Sequence, residues 1–218
     1  MRIRDAKDAK FERRFVHERS VAAVALDPRG LKLAAATYGG VALRFARIAE
    51  QTPTWLKWAG SHIGAAFSPD GKFLISAMQE NDLHGWRLAD AQDMRMGGYP
   101  SKVRSIVFLA KGSLMATSGA NGAVVWPFAG ANGPMGKEAA EIGFDDSALV
   151  ARVAAQVAGS KLGAGLDDGR VWTASLQGRG LNFAKAEKGP PITALALSAD
   201  ESCLCWGDED GGAGVVEV

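Results

Sequence analysis

The sequence contains five segments of twenty residues that align without gaps, and this repetition constrains the fold more than any other feature. The segments begin at Val21, His62, Val103, Val150 and Ile192, so consecutive starts are 41, 41, 47 and 42 residues apart. They are short, rich in Ala and Val, and separated by glycines, whereas helical repeats would need apolar residues at i, i+3, i+4 and i+7. Glycine accounts for 27 of the 218 residues, against a usual share of about 7%. Many tight turns and short strands are therefore expected.

Several columns of the alignment have a physical interpretation. The tenth is glycine in four segments and follows polar steps, which predicts a tight turn with positive φ. These glycines are Gly30, Gly71, Gly112 and Gly159, with Glu201 in the fifth segment. The thirteenth column is always large and apolar, the sixteenth is always small, and the twentieth is Gly or Asn, which tolerate a hairpin best. Each unit is therefore predicted to contain a strand, a turn, a second strand, a hairpin and a third strand.

The predicted third strand carries an aromatic residue in four units, at Phe45, Trp86, Trp126 and Trp172. A weaker fourth strand follows, for example within residues 52–60 and 180–188. Four short antiparallel strands in about 41 residues is the period of a propeller blade. We therefore predict an all-β fold, a β-propeller of four-stranded antiparallel blades, with about five blades in this chain.

Two runs and one recurring residue relate the repeats to a known family: FSPDGKFLISA at Phe67–Ala77, GLDDGRVW at Gly165–Trp172, and the tryptophan of the third strand. On these residues the sequence resembles the WD-repeat β-propeller family, from residue 21 to the last residue. The resemblance implies a ring of blades, most often seven, and partners that dock most often on the face around the central channel. Five blades would then form either a small complete ring or part of a larger, seven-bladed one.

The repeats also depart from that family. Its well-formed repeats carry a buried His–Ser/Thr–Asp–Trp network, and no unit here has all four members. The hydroxyl position keeps only Ser76 and Thr117, and the histidines are His17, His62 and His84. We therefore expect these blades to depend on apolar packing more than on polar networks.

The whole chain, residues 1–218, is predicted to be one domain. The repeat cores are residues 21–47, 62–88, 103–128, 150–174 and 192–218. An N-terminal strand at 10–16 is expected to pair with the last repeat, because ring closure removes exposed sheet edges. The alternative, a chain that is part of a longer propeller, stays open.

Composition excludes several classes of function. The formal net charge is +1, which gives no global attraction to nucleic acid or membrane. Cys203 and Cys205 lie on a strand predicted to be buried and are poor disulfide partners. The sequence has no apolar run of about 20 residues, and its first residues lack an apolar stretch, so we expect neither a membrane span nor a secretory leader. We expect a cytoplasmic protein with no nucleic-acid or membrane partner.

Catalytic and metal-binding patterns are missing from the sequence. The histidines stand alone, and there is no P-loop, G-x-S-x-G or H-E-x-x-H. We therefore predict no catalytic residues, no metal and no cofactor. Clustered carboxylates at Asp208–Gly212 offer one alternative, weak Ca²⁺ binding, although the same residues also fill the hairpin column.

Some residues depart from the scaffold pattern and are predicted to bind a protein partner. Arg104 and Arg152 stand at entrances of first strands, Tyr38 and Glu80 lie at hairpins, and Trp55 lies in a fourth strand. Arginine and tryptophan are common energetic anchors of interfaces. The role of the third-strand tryptophans and of the tenth-column glycines is predicted to be structural.

The third and fourth segments start 47 residues apart rather than 41, and the additional residues lie within 128–146. The glycines and proline of this insertion predict an extended loop, followed by a helical turn at Lys137–Ile142, and long loops on a rigid scaffold often carry function. The sequence as a whole favours a non-catalytic protein-interaction platform. Two alternatives stay open: an enzyme or small-molecule binder acting at a central channel, and a permanent structural subunit of a larger assembly.

Overall fold

A computed structural model describes residues 1–178 and 180–218. These residues form β-strands joined by turns, with one short 3-10 turn at Ala110–Gly112. Contacts divide the chain into two compact units, Met1–Gly97 and Gly98–Val218. Within the described residues, no helix is long and apolar enough to cross a membrane.

The first unit contains antiparallel sheets built from strands that are adjacent in sequence. Its strands are β1 (Arg2–Asp5), β2 (Asp8–Arg14), β3 (Ala23–Leu26), β4 (Lys32–Phe45), β5 (Thr54–Ser61), β6 (Ala66–Phe67), β7 (Phe73–Ala77), β8 (Leu83–Arg87) and β9 (Gln92–Met96). Strands β1 and β2 pair with each other, β3 to β5 form the sheet of the first repeat, and β6 to β9 form a four-stranded sheet. The expected N-terminal strand thus exists as β2, and its pairing with the last repeat stays a prediction.

Strand β4 is folded back on itself. Its 14 residues would span about 45 Å if straight, yet the Ala46 N–H donates to the Leu31 carbonyl at 2.8 Å. The Thr37 hydroxyl donates to the Gly40 carbonyl at 3.2 Å. The chain therefore turns at Gly40, where the sequence predicts a hairpin. One arm pairs with β3 and the other with β5. The first repeat therefore has four antiparallel segments, like the second.

The second unit repeats the same plan. Its strands are β10 (Ile106–Leu109), β11 (Leu114–Thr117), β12 (Ala123–Pro127), β13 (Ala140–Ile142), β14 (Val150–Ala155), β15 (Lys161–Leu166), β16 (Val171–Ser175), β17 (Asn182–Lys185), β18 (Ile192–Leu197), β19 (Cys203–Asp208) and β20 (Ala213–Glu217). Strands β10 to β13 and β14 to β17 form four-stranded sheets, and β18 to β20 form a three-stranded sheet. The all-β fold of repeated antiparallel sheets is confirmed.

The core follows the columns of the repeat. The large apolar residue of the thirteenth column is buried in every repeat, at Leu33, Leu74, Met115, Leu162 and Leu204. Trp86 and Trp172 are also fully buried, and each lies in a cluster with residues of neighbouring strands. Burial of such side chains stabilises each by about 1.5–3 kcal/mol or more, so the repeating apolar positions supply most of the packing.

Two largely buried polar chains, in the second and third repeats, add to this apolar packing. In the second repeat, His62 Nδ1 lies 2.8 Å from Ser76 Oγ, and the Ser76 hydroxyl donates to the His84 carbonyl. In the third repeat, the Trp126 indole N–H donates to the Tyr99 hydroxyl at 2.7 Å. The same hydroxyl lies 2.7 Å from Thr117 Oγ1.

Three local predictions are wrong. Residues 140–142 form strand β13 on the edge of β12 rather than a helical turn, because pairing with a neighbouring strand outweighs the helical preference of Ala and Glu. Gly159 does not have the positive φ seen at Gly30, Gly71 and Gly112. Glycine is required there for space instead, because a Cβ would meet the Glu201 carboxylate. That carboxylate accepts the N–H groups of residues 160 and 161. Cys205 is exposed rather than buried.

Candidate functional site

Arg104 and Arg152 line one groove of about 280 Å³ in the second unit, hereafter the arginine groove. The groove runs along the entrances of the first strands of three successive sheets. Its remaining polar and charged side chains are Ser101, Lys102, Asp167, Thr193 and Glu209. The two arginines that the sequence singles out as departures from the repeat are thus brought together.

The backbone before β10 holds Arg104 at the wall of the groove. Ser118, which is fully buried, accepts hydrogen bonds from the N–H groups of Arg104 and Ser105 at 3.0 and 3.1 Å. Gly119, with φ of 101°, allows the chain to pass so close to Lys102 that a Cβ would lie 3.1 Å from its carbonyl oxygen. The Arg104 side chain itself is exposed, and its guanidinium has no hydrogen-bond or ion-pair partner among the described residues.

A β-bulge directs Arg152 across the groove. The register of β14 on β15 shifts between Val150 and Arg152, and a bulge re-aims the side chain next to it. The Arg152 Nε–H donates to the Thr193 carbonyl at 2.7 Å, and an Nη1–H donates to the Ala151 carbonyl at 2.8 Å. Arg152 therefore ties the fourth repeat to the fifth. Both acceptors are neutral carbonyls, so its positive charge is not compensated by them.

The electrostatics of the groove follow from this placement. Partial burial and the nearby Arg104 charge lower the pKa of the Arg152 guanidinium, although an arginine stays charged at any physiological pH. Asp167 and Glu209 also line the groove, but within the described part of the chain neither forms an ion pair with either arginine. The Asp167 carboxylate instead accepts the Leu149 N–H at 2.8 Å. Two guanidinium groups that line one groove without an acidic partner can hold an anionic group.

The other predicted binding residues lie in the first unit, outside the arginine groove. Tyr38 is 60% exposed and packs against the Arg19 guanidinium, 5.2 Å from the ring centroid. Glu80 is exposed and accepts the Ser61 N–H at 3.4 Å. Trp55 is 43% exposed. Their binding roles stay predictions.

Trp58 packs more specifically than Trp55. Its ring is stacked on that of His84, with centroids 3.8 Å apart and an interplanar angle of 15°. His84 is fully buried, and burial lowers its pKa to about 4, partly opposed by the Asp93 carboxylate 3.3 Å away.

Sequence reasoning missed Lys102, Ser118 and the Thr193 carbonyl as parts of this site. Ser118 was visible only as a small residue in the sixteenth column, and a main-chain acceptor such as Thr193 leaves no mark in a sequence. The alternative of Ca²⁺ binding at Asp208–Gly212 gains no support from geometry, since the Asp208 carboxylate accepts the Gly212 N–H at 2.6 Å and so closes its own hairpin. No group of three or more His, Cys, Asp or Glu residues is arranged to hold a metal ion in residues 1–178 and 180–218.

Comparison with known proteins adds no relative: no family model matches the sequence, and no curated protein is found to be similar to it.

Proposed function

We propose that this protein is a non-catalytic protein-interaction platform, a WD-repeat-like β-propeller of about five blades that holds a partner through the arginine groove. One observation carries the proposal: two guanidinium groups meet in one groove with no acidic partner for either among the described residues. Arginine is enriched among the residues that dominate binding energy at interfaces. A groove of this kind on a rigid scaffold is suited to binding rather than to covalent chemistry.

The arrangement of the sheets supports the propeller part of the proposal. Within the second unit the first strands of successive sheets contact each other, β10 with β14 and β14 with β18, and in the first unit β3 contacts β6. First strands that lie side by side are what a propeller places around its central channel. The polar chains of the second and third repeats are similar to the family's His–Ser/Thr contact, because Tyr99 contacts Thr117 as His62 contacts Ser76.

Quantitative affinity capture tests the proposal. The wild-type chain is compared with the double variant Arg104→Glu/Arg152→Glu and with Arg14→Glu, whose exposed side chain lies on β2. We expect a defined protein to be captured by the wild type and by Arg14→Glu in equal amounts, and at least tenfold less by the double variant. Equal capture by all three proteins would show that the groove is not the contact site. Turnover of a small molecule by the purified chain, without any protein partner, would contradict a non-catalytic platform.

A further inference from the structure

The proposed function does not say which chemical group of a partner the arginine groove binds. Lys102, Arg104 and Arg152 bring three positive charges to its lining, against the carboxylates of Asp167 and Glu209. Like charges at close range repel each other, and the cost rises as the groups leave water. Acidic side chains commonly compensate an arginine at a protein surface. Arg170 in this chain is an example, because it lies between the carboxylates of Asp145 and Asp168 at 2.6 and 2.8 Å.

The contrast between these two arginine sites is informative. Arg170 is a structural arginine, neutralised on both sides and fixed in place. Arg152 is also held in place, through the Thr193 and Ala151 carbonyls, but neither acceptor neutralises its charge. Two of the five N–H groups of a guanidinium are used in these bonds, so Arg152 retains donors while its orientation is already set. A side chain that is held in place before binding loses less conformational entropy when a ligand arrives.

We propose that the arginine groove receives an oxyanion carried by the protein partner, a carboxylate or a phosphoryl group, between the guanidinium groups of Arg104 and Arg152. A planar carboxylate and a tetrahedral phosphoryl group each present a pair of oxygens that a guanidinium fork can match in bidentate geometry. The inference rests on the proposed function and states what the groove recognises.

Two acids in the lining of the groove favour recognition of a single anionic group. Asp167 and Glu209 are exposed and would repel a continuous anionic polymer, which requires a uniformly basic surface. An isolated oxyanion next to a basic or neutral residue of the partner would meet less of this repulsion.

Titration of the ¹⁵N-labelled full-length chain with two probes tests the inference. The probes are inorganic phosphate and an N-acetylated, C-amidated Gly-Asp-Gly peptide, which carries a single carboxylate, and the signals are the Nε–Hε resonances of Arg104 and Arg152. We expect both resonances to shift and saturate together with at least one probe, and the probe that binds more tightly distinguishes a phosphoryl from a carboxylate ligand.

Arg104→Gln is the decisive variant, because the Arg104 side chain makes no hydrogen bond or ion pair in the described structure and its loss leaves the groove intact. We expect this variant to weaken binding of the effective probe at least tenfold, and the control Arg14→Gln to change it less than twofold. Absence of saturable shifts with both probes, or equal effects of the two variants, would overturn the inference.

The two proposals fail in different ways. If the probes bind at the arginines but charge reversal leaves partner capture unchanged, the oxyanion site stands and the platform role of the groove is wrong. If partner capture depends on the arginines while neither probe binds, the platform stands and the oxyanion assignment is wrong.

Discussion

The tyrosine of the third repeat offers a sharp test of whether the buried polar chain there stabilises the sheet. Tyr99 is 8% exposed and Thr117 is fully buried, and the Tyr99 hydroxyl joins Thr117 Oγ1 to the Trp126 indole N–H through two contacts of 2.7 Å. Tyr99→Phe removes one oxygen atom and keeps the ring. Both contacts are lost, and the indole N–H of Trp126 loses its acceptor.

The expected cost follows from these two hydrogen bonds. Each contributes about 0.5–1.5 kcal/mol net, and the half-buried Trp126 indole N–H adds part of the about 1–3 kcal/mol that a fully buried donor without an acceptor costs. Thr117 keeps its contact with the Val124 carbonyl at 3.3 Å, so its loss is only partial. We therefore expect Tyr99→Phe to lower the free energy of unfolding of the second unit by about 2 kcal/mol.

Hydrogen exchange of the amides in β11 and β12 measures this change directly, because exchange reports the free energy of opening of a defined segment. A loss of about 2 kcal/mol corresponds to exchange about 30-fold faster. The chain has one other tyrosine, and Tyr38→Phe removes an exposed hydroxyl, so it should leave these rates unchanged.

A double-mutant cycle with Thr117→Val completes the test. Since both substitutions remove the same Tyr99–Thr117 contact, the double variant should lose less stability than the sum of the two single losses, by about 0.5–1.5 kcal/mol. Rates in Tyr99→Phe within about twofold of the wild type, or strict additivity in the cycle, would refute a polar chain that stabilises this repeat.

Three further predictions follow from particular residues. The pKa of buried His84 is lowered to about 4, so between pH 6.5 and 4 this histidine is protonated in the unfolded chain but not in the folded chain. The free energy of unfolding should therefore fall by up to about 3 kcal/mol as the pH is lowered from 6.5 to 4. Urea titrations at several pH values should show a weaker dependence of stability on pH for His84→Phe. Gly119→Ala forces a Cβ against the Ser101 and Lys102 carbonyl oxygens at 3.0 and 3.1 Å. It should therefore lower the free energy of unfolding by about 1–3 kcal/mol more than Gly130→Ala, a site of similar φ that has open space around it. Equal urea midpoints for the two variants would contradict this. If the sheets close into one ring, light scattering should give the monomer mass of 22.9 kDa, whereas dimers or aggregates would indicate exposed sheet edges.

The repeat could be predicted from the sequence because each column has its own physical requirement. A turn that needs positive φ selects glycine, as at Gly30, and a buried position selects a large apolar residue, as at Leu74. What escaped prediction depends on contacts between distant residues. Tyr99 lies 18 residues from Thr117 and outside the five aligned segments, so nothing local marks it as the partner of Thr117. Residues 140–142 have helical preferences that are overridden by pairing with β12.

The candidate site was partly predictable for a similar reason. Arg104 and Arg152 stand out because charged residues replace small or apolar ones at strand entrances. Their meeting in one groove depends on the side-by-side packing of first strands, which the repeat period implies. The anchoring of Arg152 to the Thr193 carbonyl depends on a bulge in β14, and the extra residue of a bulge is invisible in an ungapped alignment.

The central claim is that the arginine groove is the place where a protein partner binds. Site-specific photo-crosslinking from position 193, an exposed residue at the groove, tests it most directly, with position 157 as an exposed control. The account predicts one covalent adduct with a defined protein from position 193, absent from position 157 and abolished by Arg104→Glu. An adduct that forms equally from both positions, or that survives Arg104→Glu unchanged, would contradict it.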